Sequence, residues 1–471
     1  MTKILDVIIL GAGTAGLAAL REVRKRTENF LIVNDGPWGT VCARVGCMPS
    51  KALIEAANAF HHRTAFAEFG IHGSDALEVN IAEVLRRVRR LRDDFVAGTT
   101  KVTLDLGKRA MSGRARLVAP NRVEVNGQEW CARNIIIATG SSPVIPKTWN
   151  SFKQHILTTD TLFEQDTFPG RIAVIGMGPI GVEMAQALSR LGIDVVGFGR
   201  SPQIAGLTDP VVNVAAAASL TQEWPIHLGE KAELMERKAG FVVRAGDKEI
   251  IVDGVLAALG RHPNIANLGL ETLGVPLDDH GIPPIDPTTM QIADLRVFMV
   301  GDVHARSALL HEAADEGHMA GINATRSIPI CFLRRTPLAI VFSDPNIAIV
   351  GKRYDALDRD TTLTGEVSFS NQGRARLGQR NEGMLRLYAQ ADSGRLLGAE
   401  MCVPAGEHLA HLLALAIDRS LTVQELLRMP FYHPVLEEGL RTALRHLAAQ
   451  LPAGSGSDLT MCEAFNLEAL D

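Results

Sequence analysis

The sequence predicts an α/β fold with two doubly wound domains, followed by a separate α+β domain. The first part is predicted by a pattern that occurs twice: an apolar strand, a glycine-rich turn and a helix. The α+β domain is predicted by the stretch after Pro337, where strand-like runs come first and helices follow. The chain has 471 residues, 46% of them hydrophobic. This is enough for about three or four domains with buried cores.

Each copy of the repeated pattern contains the parts of a βαβ unit, because a second apolar strand follows the helix. The first strands are Asp6–Leu10 and Arg171–Ile175, the helical patterns run to Lys25 and over Val182–Leu191, and the second strands are Phe30–Val33 and Asp194–Phe198. We therefore expect a parallel sheet in each of the two domains.

Both turns match the pattern GxGxxG. The glycines are Gly11, Gly13 and Gly16 in the first turn and Gly176, Gly178 and Gly181 in the second. The first glycine permits a tight turn, the second lets a pyrophosphate approach the backbone, and the third lets the helix pack on the strand. The helix N-terminus offers N–H groups and a positive dipole end to the phosphates. Two motifs in this context predict two bound dinucleotides, and the alternative is a pair of glycine-rich turns without ligands.

Other elements are predicted from shorter patterns. Strand-rich stretches cover residues 116–137 and 241–259. In the C-terminal part the predicted strands are Ala339–Val341, Ile347–Val350, Met384–Gln390 and Leu396–Met401, and the predicted helices are Glu407–Asp418 and Val423–Arg428. The glycine- and serine-rich segment 452–458 predicts a flexible linker to a short tail.

Two cysteines stand close together in the sequence. Four residues separate Cys42 from Cys47, and a helix is predicted to begin near Ser50. A thiol at a helix N-terminus has a lowered pKa because the helix dipole favours the thiolate, and a dithiol so placed can open and close as a disulfide. The alternative is half of a zinc site, which needs two further close ligands. The remaining cysteines, which each stand alone, are Cys131, Cys331, Cys402 and Cys462.

The pattern CxxxxC-x-P-S-K from Cys42 to Lys51 resembles that of the class I pyridine nucleotide–disulfide oxidoreductases. The resemblance extends from residue 4 to about residue 448. Further motifs similar to the family's are the strand Ile135–Gly140, the hinge Ala258–Asn264, the flavin-binding Val300–Asp302, the start of the interface domain at Phe342–Pro345, and the His-Pro-x-x-x-Glu segment Tyr432–Glu438.

The resemblance implies a division of the chain into domains. The FAD-binding domain is expected at 1–148, the NAD(P)-binding domain at 149–262, a central segment returning to the FAD domain at 263–334, the dimerisation domain at 335–450 and a flexible tail at 451–471. Both nucleotide-binding domains are expected to be Rossmann-like, and the chain is expected to form a homodimer.

The resemblance also implies how the redox residues act. Cys47 lies next to the flavin and accepts its electrons, and Cys42 is released as the thiol that meets the substrate. His433, held by Glu438, is the acid/base that moves the thiol proton, a task suited to a carboxylate-oriented imidazole. In the family this histidine faces the partner subunit's disulfide, which implies two active sites shared across the dimer.

Several residues are expected, by the same resemblance, to hold the cofactors. Lys51 lies near the flavin and pairs with Glu183, and the alternative is that both are surface charges. The other cofactor-binding residues are Gly11, Gly13, Gly16, Asn34, Asp35, Thr40, Ala115, Thr139, Gly140, Gly176, Gly178, Ile180, Gly181, Arg200, Gly260, Arg261, Asp302 and His311. No metal site is expected.

The positions that usually bind a ribose depart from the family's pattern. An acidic residue normally lies about 20 residues after the glycines. In this chain the aligned positions are Asn34, followed by Asp35, and Gly199, followed by Arg200. Asn34 can still accept a hydrogen bond from a ribose hydroxyl. Without a carboxylate at Gly199 nothing repels a 2′-phosphate, and Arg200 offers it a partner, which favours NADPH over NADH. The alternative is that Arg200 is a solvated surface residue.

The motifs around Lys51 and His433 are most similar to those of dihydrolipoamide dehydrogenases, so we expect oxidation of a dihydrolipoyl group or the reverse reaction. One alternative is an NADPH-dependent reductase of another disulfide, such as glutathione. A second is a flavoprotein component of a complex without turnover. Positions that depart from the family's pattern are Thr40 in place of glycine, Arg44 in place of asparagine and Phe431 in place of histidine. A lone Cys462 cannot form the C-terminal dithiol that mercuric reductases carry.

The overall composition excludes other classes of partner. A net charge of −5 gives no basic footprint for nucleic acid. The apolar runs fall far short of the ~20 residues of a membrane helix. The N-terminus lacks the long apolar region of a signal peptide. We therefore expect a cytoplasmic enzyme with a small dithiol, disulfide or lipoyl-domain substrate.

Overall fold

The computed structural model describes residues 4–237, 240–451 and 458–459. Cys462 and most of the predicted linker and tail lie outside these residues. The strands are β1 (Leu5–Leu10), β2 (Phe30–Asn34), β3 (Ala110–Ser112), β4 (Ala115–Ala119), β5 (Arg122–Val125), β6 (Gln128–Ile137), β7 (Ser141–Pro143), β8 (Ile156–Leu157), β9 (Arg171–Ile175), β10 (Asp194–Gly199), β11 (Ile226–Leu228), β12 (Glu233–Arg237), β13 (Gly240–Ala245), β14 (Lys248–Ile251), β15 (Gly254–Ala257), β16 (Arg261–Pro263), β17 (Val297–Met299), β18 (Leu338–Val341), β19 (Asn346–Gly351), β20 (Thr362–Ser368), β21 (Met384–Gln390) and β22 (Leu396–Val403).

The helices begin mostly where glycine, proline or a capping side chain precedes an apolar pattern. They are α1 (Thr14–Val23), α2 (Val41–Arg44), α3 (Cys47–His61), α4 (Ile81–Leu104), α5 (Thr159–Leu162), α6 (Pro179–Arg190), α7 (Pro210–Leu220), α8 (Leu310–Ala324), α9 (Gly373–Leu377), α10 (Gly406–Asp418), α11 (Val423–Leu427) and α12 (Glu437–Ala448). The prediction that a helix begins near Ser50 is wrong: α3 begins at Cys47, because the N–H of Ser50 already donates to the Gly46 carbonyl.

The first sheet has the order β3-β2-β1-β6, and β17 also pairs with β6. β1 lies parallel to both β2 and β6, and its residues Val7, Ile8 and Ile9 are fully buried. A continuous apolar run of this kind is typical of a parallel strand covered on both faces. β4, β5 and the first half of β6 form an antiparallel meander.

The second sheet contains β11-β10-β9-β15 in that order. β9, β10 and β11 are parallel, with Asp194 opposite Arg171 in the register of β10 and β9. α6 follows β9 and contacts both β9 and β10. β12, β13 and β14 form a separate antiparallel sheet.

The third large sheet is antiparallel, with the order β18-β19-β22-β21-β20. α10 packs on β19 and β22, and α12 packs on β20 and β21. Phe369 and Leu440 are fully buried in the core between the sheet and the helices. Two parallel, doubly wound sheets and this α+β region confirm the predicted α/β fold class.

Contacts within the chain divide it into two compact units. The first unit contains residues 1–56, 78–168 and 256–334, and the second contains residues 57–77, 169–255 and 335–471. The parallel pairing of β17 with β6 belongs to the first unit, so the segment after the second repeat returns to the first sheet. The predicted boundaries of four domains and a tail stay a prediction.

Candidate active site

The first glycine turn joins β1 to α1. Gly11 has φ of 106°, and a Cβ added there would lie 2.1 Å from the carbonyl oxygen of Ala138. At Gly16 an added Cβ would lie 1.9 Å from the Gly11 carbonyl oxygen. At Gly13 it would meet no described heavy atom within 4 Å. The first and third glycines are therefore required by packing, and the second leaves an open place at the start of α1. This arrangement fits the pyrophosphate of a dinucleotide.

The strand β2 ends beside this turn. The Oδ1 of Asn34 accepts a hydrogen bond from the N–H of Ala12 at 3.1 Å, and its amide nitrogen donates to the carbonyls of Gly36 and Pro37 at 3.2 Å. The Asn34 amide thus ties the glycine turn, through its oxygen, to the loop after β2, through its nitrogen. The next residue, Asp35, is exposed and presents a carboxylate at the same end of the strand.

The second glycine turn repeats this geometry between β9 and α6. Gly176 has φ of 106°, and a Cβ added to Gly178 would meet no described heavy atom within 4 Å. Gly178 is the N-cap of α6, which begins at Pro179 instead of the predicted Val182. Ile180 and Gly181 lie in the first turn of the same helix. The site therefore fits a second dinucleotide, with its phosphates at the N-terminus of α6.

Gly199, at the end of β10, is closely packed. A Cβ added to Gly199 would lie 2.7 Å from Cδ2 of Leu228 and 3.3 Å from Cβ of Met177. A side chain at this position would therefore displace the end of the Leu228 side chain. The next residue, Arg200, is exposed. An exposed arginine thus follows directly after the position where an acidic residue is expected in the family.

The two close cysteines occupy consecutive helix starts. Cys42 lies in α2, whose N-cap Thr40 accepts a hydrogen bond from the N–H of Ala43 at 3.1 Å. Cys47 is the first residue of α3. A Cβ at Gly46 would lie 3.1 Å from Cα of Cys42, so glycine allows the two segments to approach closely.

Cys42 and Cys47 are thiols that hydrogen-bond to each other. This hydrogen bond, together with burial, raises the pKa of Cys42. Cys47 is exposed and lies at the end of α3 where the helix dipole stabilises a thiolate. Nearby, Nε of Arg44 donates to the Gly39 carbonyl at 3.3 Å and so closes the turn before α2.

Lys51 and Glu183 lie in different units. Lys51 is half-buried in the second turn of α3. Glu183 is buried in α6, and its Oε1 accepts a hydrogen bond from the N–H of Phe342 at 3.0 Å. Glu183 is therefore no surface charge, contrary to the alternative interpretation. The pairing of Lys51 with Glu183 stays a prediction.

Residues after β6 meet the segment around β16. The hydroxyl of Thr139 donates to the Asn264 carbonyl at 3.0 Å, and the Asn264 amide donates back to the Thr139 carbonyl at 3.0 Å. Gly140 follows with φ of 68°. β16 pairs antiparallel with β7, so the predicted hinge Ala258–Asn264 reaches back to the end of the first sheet's β6.

Asp302 and Arg261 are both bonded to Ser141. The hydroxyl of Ser141 donates to Oδ2 of Asp302 at 2.7 Å and accepts a hydrogen bond from Nε of Arg261 at 2.8 Å. The guanidinium of Arg261 also donates to the Ser141 carbonyl at 2.7 Å. The first unit therefore brings Asp302, Ser141 and Arg261 into one hydrogen-bonded cluster.

The remaining residues that were predicted to bind a cofactor are more dispersed. Ala115 is the first residue of β4 and pairs with Val125. Gly260 has φ of 91° and precedes β16. His311 lies in the first turn of α8 with 49% of its side chain exposed. The structure gives these three residues no contact that links them to the cluster around Asp302.

His433 and Glu438 lie in the second unit, just before and within α12. Nδ1 of His433 is 3.0 Å from Oε1 and 3.2 Å from Oε2 of Glu438. The N–H of Val435 donates to the same carboxylate at 3.2 Å. The His433 hydrogen bond lowers the pKa of Glu438, against a small opposing effect of burial. The His433 side chain is 81% exposed, so its Nε2 is available to a group outside the single chain.

A buried cluster on α8 was not predicted. Glu316 accepts a hydrogen bond from the N–H of Gly301 and contacts His304 and Arg334. The sequence does carry one signal for it, because Glu312 and Glu316 lie four residues apart and so face the same side of a helix. The burial of that side is not visible in the sequence.

No described helix is long and apolar enough to cross a membrane. Within residues 4–237, 240–451 and 458–459, no group of three or more His, Cys, Asp or Glu residues has the geometry of a metal site.

Comparisons with known proteins place the chain in a family. Residues 5–317 match the family described as pyridine nucleotide-disulphide oxidoreductase, and residues 338–444 match its dimerisation domain. The chain is 31% identical over 462 residues to a dihydrolipoyl dehydrogenase of Thermus scotoductus, covering 95% of this chain and 98% of the relative. It is 29% identical over 461 residues to a mercuric reductase of Shigella flexneri, covering 93% of this chain and 80% of the relative.

Two solved structures have the same fold. The HOCl-induced flavoprotein disulfide reductase RclA of Escherichia coli, in its Cu(II) complex, has a TM-score of 0.81 at 19% identity, covering 94% of this chain and 99% of that chain. LpdA of Mycobacterium tuberculosis has a TM-score of 0.81 at 24% identity, with the same coverage of both chains.

The chain belongs to the pyridine nucleotide-disulphide oxidoreductase family. It is a flavoprotein disulfide oxidoreductase that uses FAD and NAD(P)H, and its dimerisation domain supports a homodimer. The predicted family and general function are therefore confirmed.

Proposed function

We propose that this enzyme catalyses electron transfer between NAD(P)H and a dihydrolipoyl group, in either direction, through the Cys42–Cys47 pair. The observation that supports this most is the dithiol itself, two hydrogen-bonded thiols at the starts of α2 and α3. The similarity to dihydrolipoyl dehydrogenases over nearly the whole chain favours a dihydrolipoyl substrate.

FAD is held by the first glycine turn together with Asp302 and its neighbours Ser141 and Arg261 in the same unit. Bound FAD supplies the two-electron chemistry that links the nicotinamide to the disulfide. The second glycine turn, at Gly178, holds the pyrophosphate of NAD(P)H. These assignments explain why the glycine nearest each phosphate has open space around it.

The two thiols have different roles. The hydrogen bond with Cys47 and burial raise the pKa of the Cys42 thiol. Cys42 therefore keeps its proton and needs a base before it attacks a disulfide. Cys47 at the N-terminus of α3 carries the thiolate more readily. Cys42 is therefore the thiol that exchanges with substrate, and Cys47 is the thiol coupled to FAD.

His433 supplies the base. Glu438 remains ionised because its pKa is lowered, and it holds Nδ1 of His433, which leaves Nε2 for proton transfer. Since 81% of the His433 side chain is exposed on one chain, we assign it to the partner subunit's dithiol across the dimer. Each homodimer then contains two shared sites.

The nucleotide is NADPH rather than NADH on this proposal. Gly199 provides no carboxylate at the end of β10, and the exposed Arg200 follows directly. An arginine pairs well with a 2′-phosphate, and no carboxylate at position 199 opposes it. The same observation favours a second candidate function, an NADPH-dependent reductase of another small disulfide.

An anaerobic titration separates these functions. The FAD-loaded enzyme is titrated with NADH, with NADPH and with dihydrolipoamide while the visible spectrum is recorded. We expect a long-wavelength band from the Cys47 thiolate beside the flavin after two electrons, at lower concentrations of NADPH than of NADH. The band with dihydrolipoamide supports the dihydrolipoyl substrate. If NADPH produces the band and dihydrolipoamide does not, the result supports the second candidate function, reduction of another small disulfide.

Two variants act as matched controls. Cys47→Ser is expected to lose both the band and disulfide reduction while keeping FAD, whereas Cys42→Ser keeps the thiolate at Cys47 and hence the band. If Cys47→Ser retained the physiological function of the wild type, the protein would be a component without turnover. If no reductant raised the band in the wild type, the dithiol would not be coupled to FAD.

A further inference from the structure

A buried carboxylate lies behind the turn that carries Asp302. Glu316 in α8 is 2% exposed. Its Oε2 accepts a hydrogen bond from the N–H of Gly301 at 2.7 Å and lies 2.7 Å from Nε2 of His304. Its Oε1 accepts a hydrogen bond from Arg334 at 2.9 Å. Both oxygens of Glu316 are therefore engaged, one by the turn and one by a cation.

The contacts of Glu316 favour the ionised form of its carboxylate. Burial opposes the charge on Glu316, but the hydrogen bond with His304, the Gly301 N–H and the charge of Arg334 outweigh it and lower the pKa of Glu316. Arg334 also contacts Glu312 on the same face of α8. A charged group so deeply buried has a fixed position, because every alternative leaves it without partners.

The turn held by Glu316 has little freedom of its own. Gly301 has φ of 77°, and a Cβ there would lie 3.1 Å from Cβ of Ala15 in α1. The turn therefore packs against the helix that follows the first glycine motif. Asp302, the next residue, projects to Ser141 at 2.7 Å. Its place relative to α1 is set from one side by Ser141 and from the other by Glu316.

We propose that Glu316 is a positioning residue for FAD: by fixing the Gly301 N–H it places Asp302 at the flavin side of α1, and Arg334 keeps the Glu316 carboxylate in that position. The proposal rests on the assignment of Asp302 to the FAD site. Arg334 is the last residue of the first unit, so the segment that leaves this unit also anchors its cofactor turn.

The test measures FAD itself as well as activity. Glu316→Gln keeps an oxygen for the Gly301 N–H but removes the charge that Arg334 and His304 contact. Glu316→Ala removes both. We expect Glu316→Ala to weaken FAD binding by about ten-fold or more, with a smaller loss in Glu316→Gln, since hydrogen bonds to charged groups are the stronger ones. The visible circular dichroism of bound FAD is expected to change in both variants.

Glu400 provides a matched control. It is fully buried in the other unit, and its carboxylate accepts hydrogen bonds from the N–H groups of Thr208 at 2.7 Å, Asp209 at 2.9 Å and Tyr354 at 3.0 Å. Glu400→Gln is expected to lower the stability of the protein and to leave FAD affinity and the flavin's circular dichroism unchanged. The control therefore separates the general effect of losing a buried charge from a loss of the positioning of Asp302.

These variants test the assignment of Asp302 to the FAD site separately from the positioning role of Glu316. If Asp302→Ala binds FAD as the wild type does, the assignment of Asp302 to the FAD site is wrong. If Asp302→Ala weakens binding while the Glu316 variants behave like Glu400→Gln, the positioning role is overturned. If the Glu316 variants do not fold, Arg334→Ala takes their place with the same expected direction, and Arg334→Lys is expected to restore most of the affinity.

Discussion

At Gly13 an added Cβ meets no described heavy atom within 4 Å, whereas at Gly16 it would lie 1.9 Å from a carbonyl oxygen. We therefore expect Gly16→Ala to lower the free energy of unfolding by about 1–3 kcal/mol. The added methyl group overlaps the Gly11 carbonyl oxygen, so α1 has to move away from the end of β1. Gly13→Ala is expected to change stability by less than about 0.5 kcal/mol and to weaken FAD binding, because the methyl group takes the phosphate's place. Chemical denaturation and FAD titration check both. Wild-type FAD affinity in Gly13→Ala would contradict the assignment of this turn.

The Glu438 carboxylate should control proton transfer by His433 over a wide pH range. Its pKa is lowered by His433, so the interaction is fully present above the ordinary glutamate pKa of 4.5 and is lost only as pH falls through the lower value. We expect Glu438→Gln to reduce disulfide reduction by about ten-fold, since a misoriented base transfers protons poorly. Rates of disulfide reduction at neutral pH, where Glu438 is ionised, measure this loss. A wild-type rate in Glu438→Gln would contradict this role for Glu438.

Among the elements, α6 connects the nucleotide turn to the α+β region along one face. Glu183, Gln186 and Arg190 lie on that face, and Gln186 exchanges two 2.8 Å hydrogen bonds with the backbone of Asp344. Arg190 is 3% exposed and bonds to Glu223 at 2.7 Å and to Asn58 at 2.6 Å. Asn58 lies in the last turn of α3, so this turn contacts the same arginine.

We expect Arg190→Ala to lower the free energy of unfolding by about 2–3 kcal/mol, because it removes a buried guanidinium that is hydrogen-bonded to the partly buried carboxylate of Glu223. Arg171→Ala is the control: its ion pair with Asp194 has both side chains more than 40% exposed, and its loss is expected to change stability by less than about 1 kcal/mol. Urea denaturation followed by circular dichroism measures both variants. Equal effects of the two substitutions would show that the Arg190 cluster adds nothing to stability.

The sequence predicts those elements that a local pattern specifies. Both glycine turns, β1, β2, β9, β10 and most of the α+β strands follow from apolar periodicity and glycine spacing. The helix α4 and the strand β20 were missed because their exposed faces are rich in charged and polar residues, and their burial depends on distant partners. In the candidate site the cysteines were found from their spacing, and His433 was found from the resemblance of its segment to the family's motif. Glu316, Ser141 and Arg190 were not, since only the tertiary structure shows which polar groups are buried together.

At the scale of the whole molecule, the dimer decides whether the site is complete. Tyr432 and His433 are both 81% exposed on one chain, which is unusual for a catalytic histidine that must be shielded from water. We expect Cys42→Ser and His433→Ala to be inactive as separate homodimers in disulfide reduction. Mixing and reassembling them should restore about a quarter of wild-type activity, since half the dimers are mixed and each has one intact site of two. Full inactivity of the mixed dimers, with exchange verified by mass, would place both groups in one subunit.

The parallel pairing of β17 with β6 has a consequence for how the protein is made. Met299 lies opposite Ile137, so the first sheet acquires its last strand only after the whole second glycine repeat has been synthesised. Because chains emerge from the ribosome N-terminus first and long-range pairing waits for its partner, the second repeat can acquire its fold on the nascent chain while the first is still open. We therefore expect the first sheet to be completed, together with the turn that carries Asp302, only after the second repeat has left the ribosome.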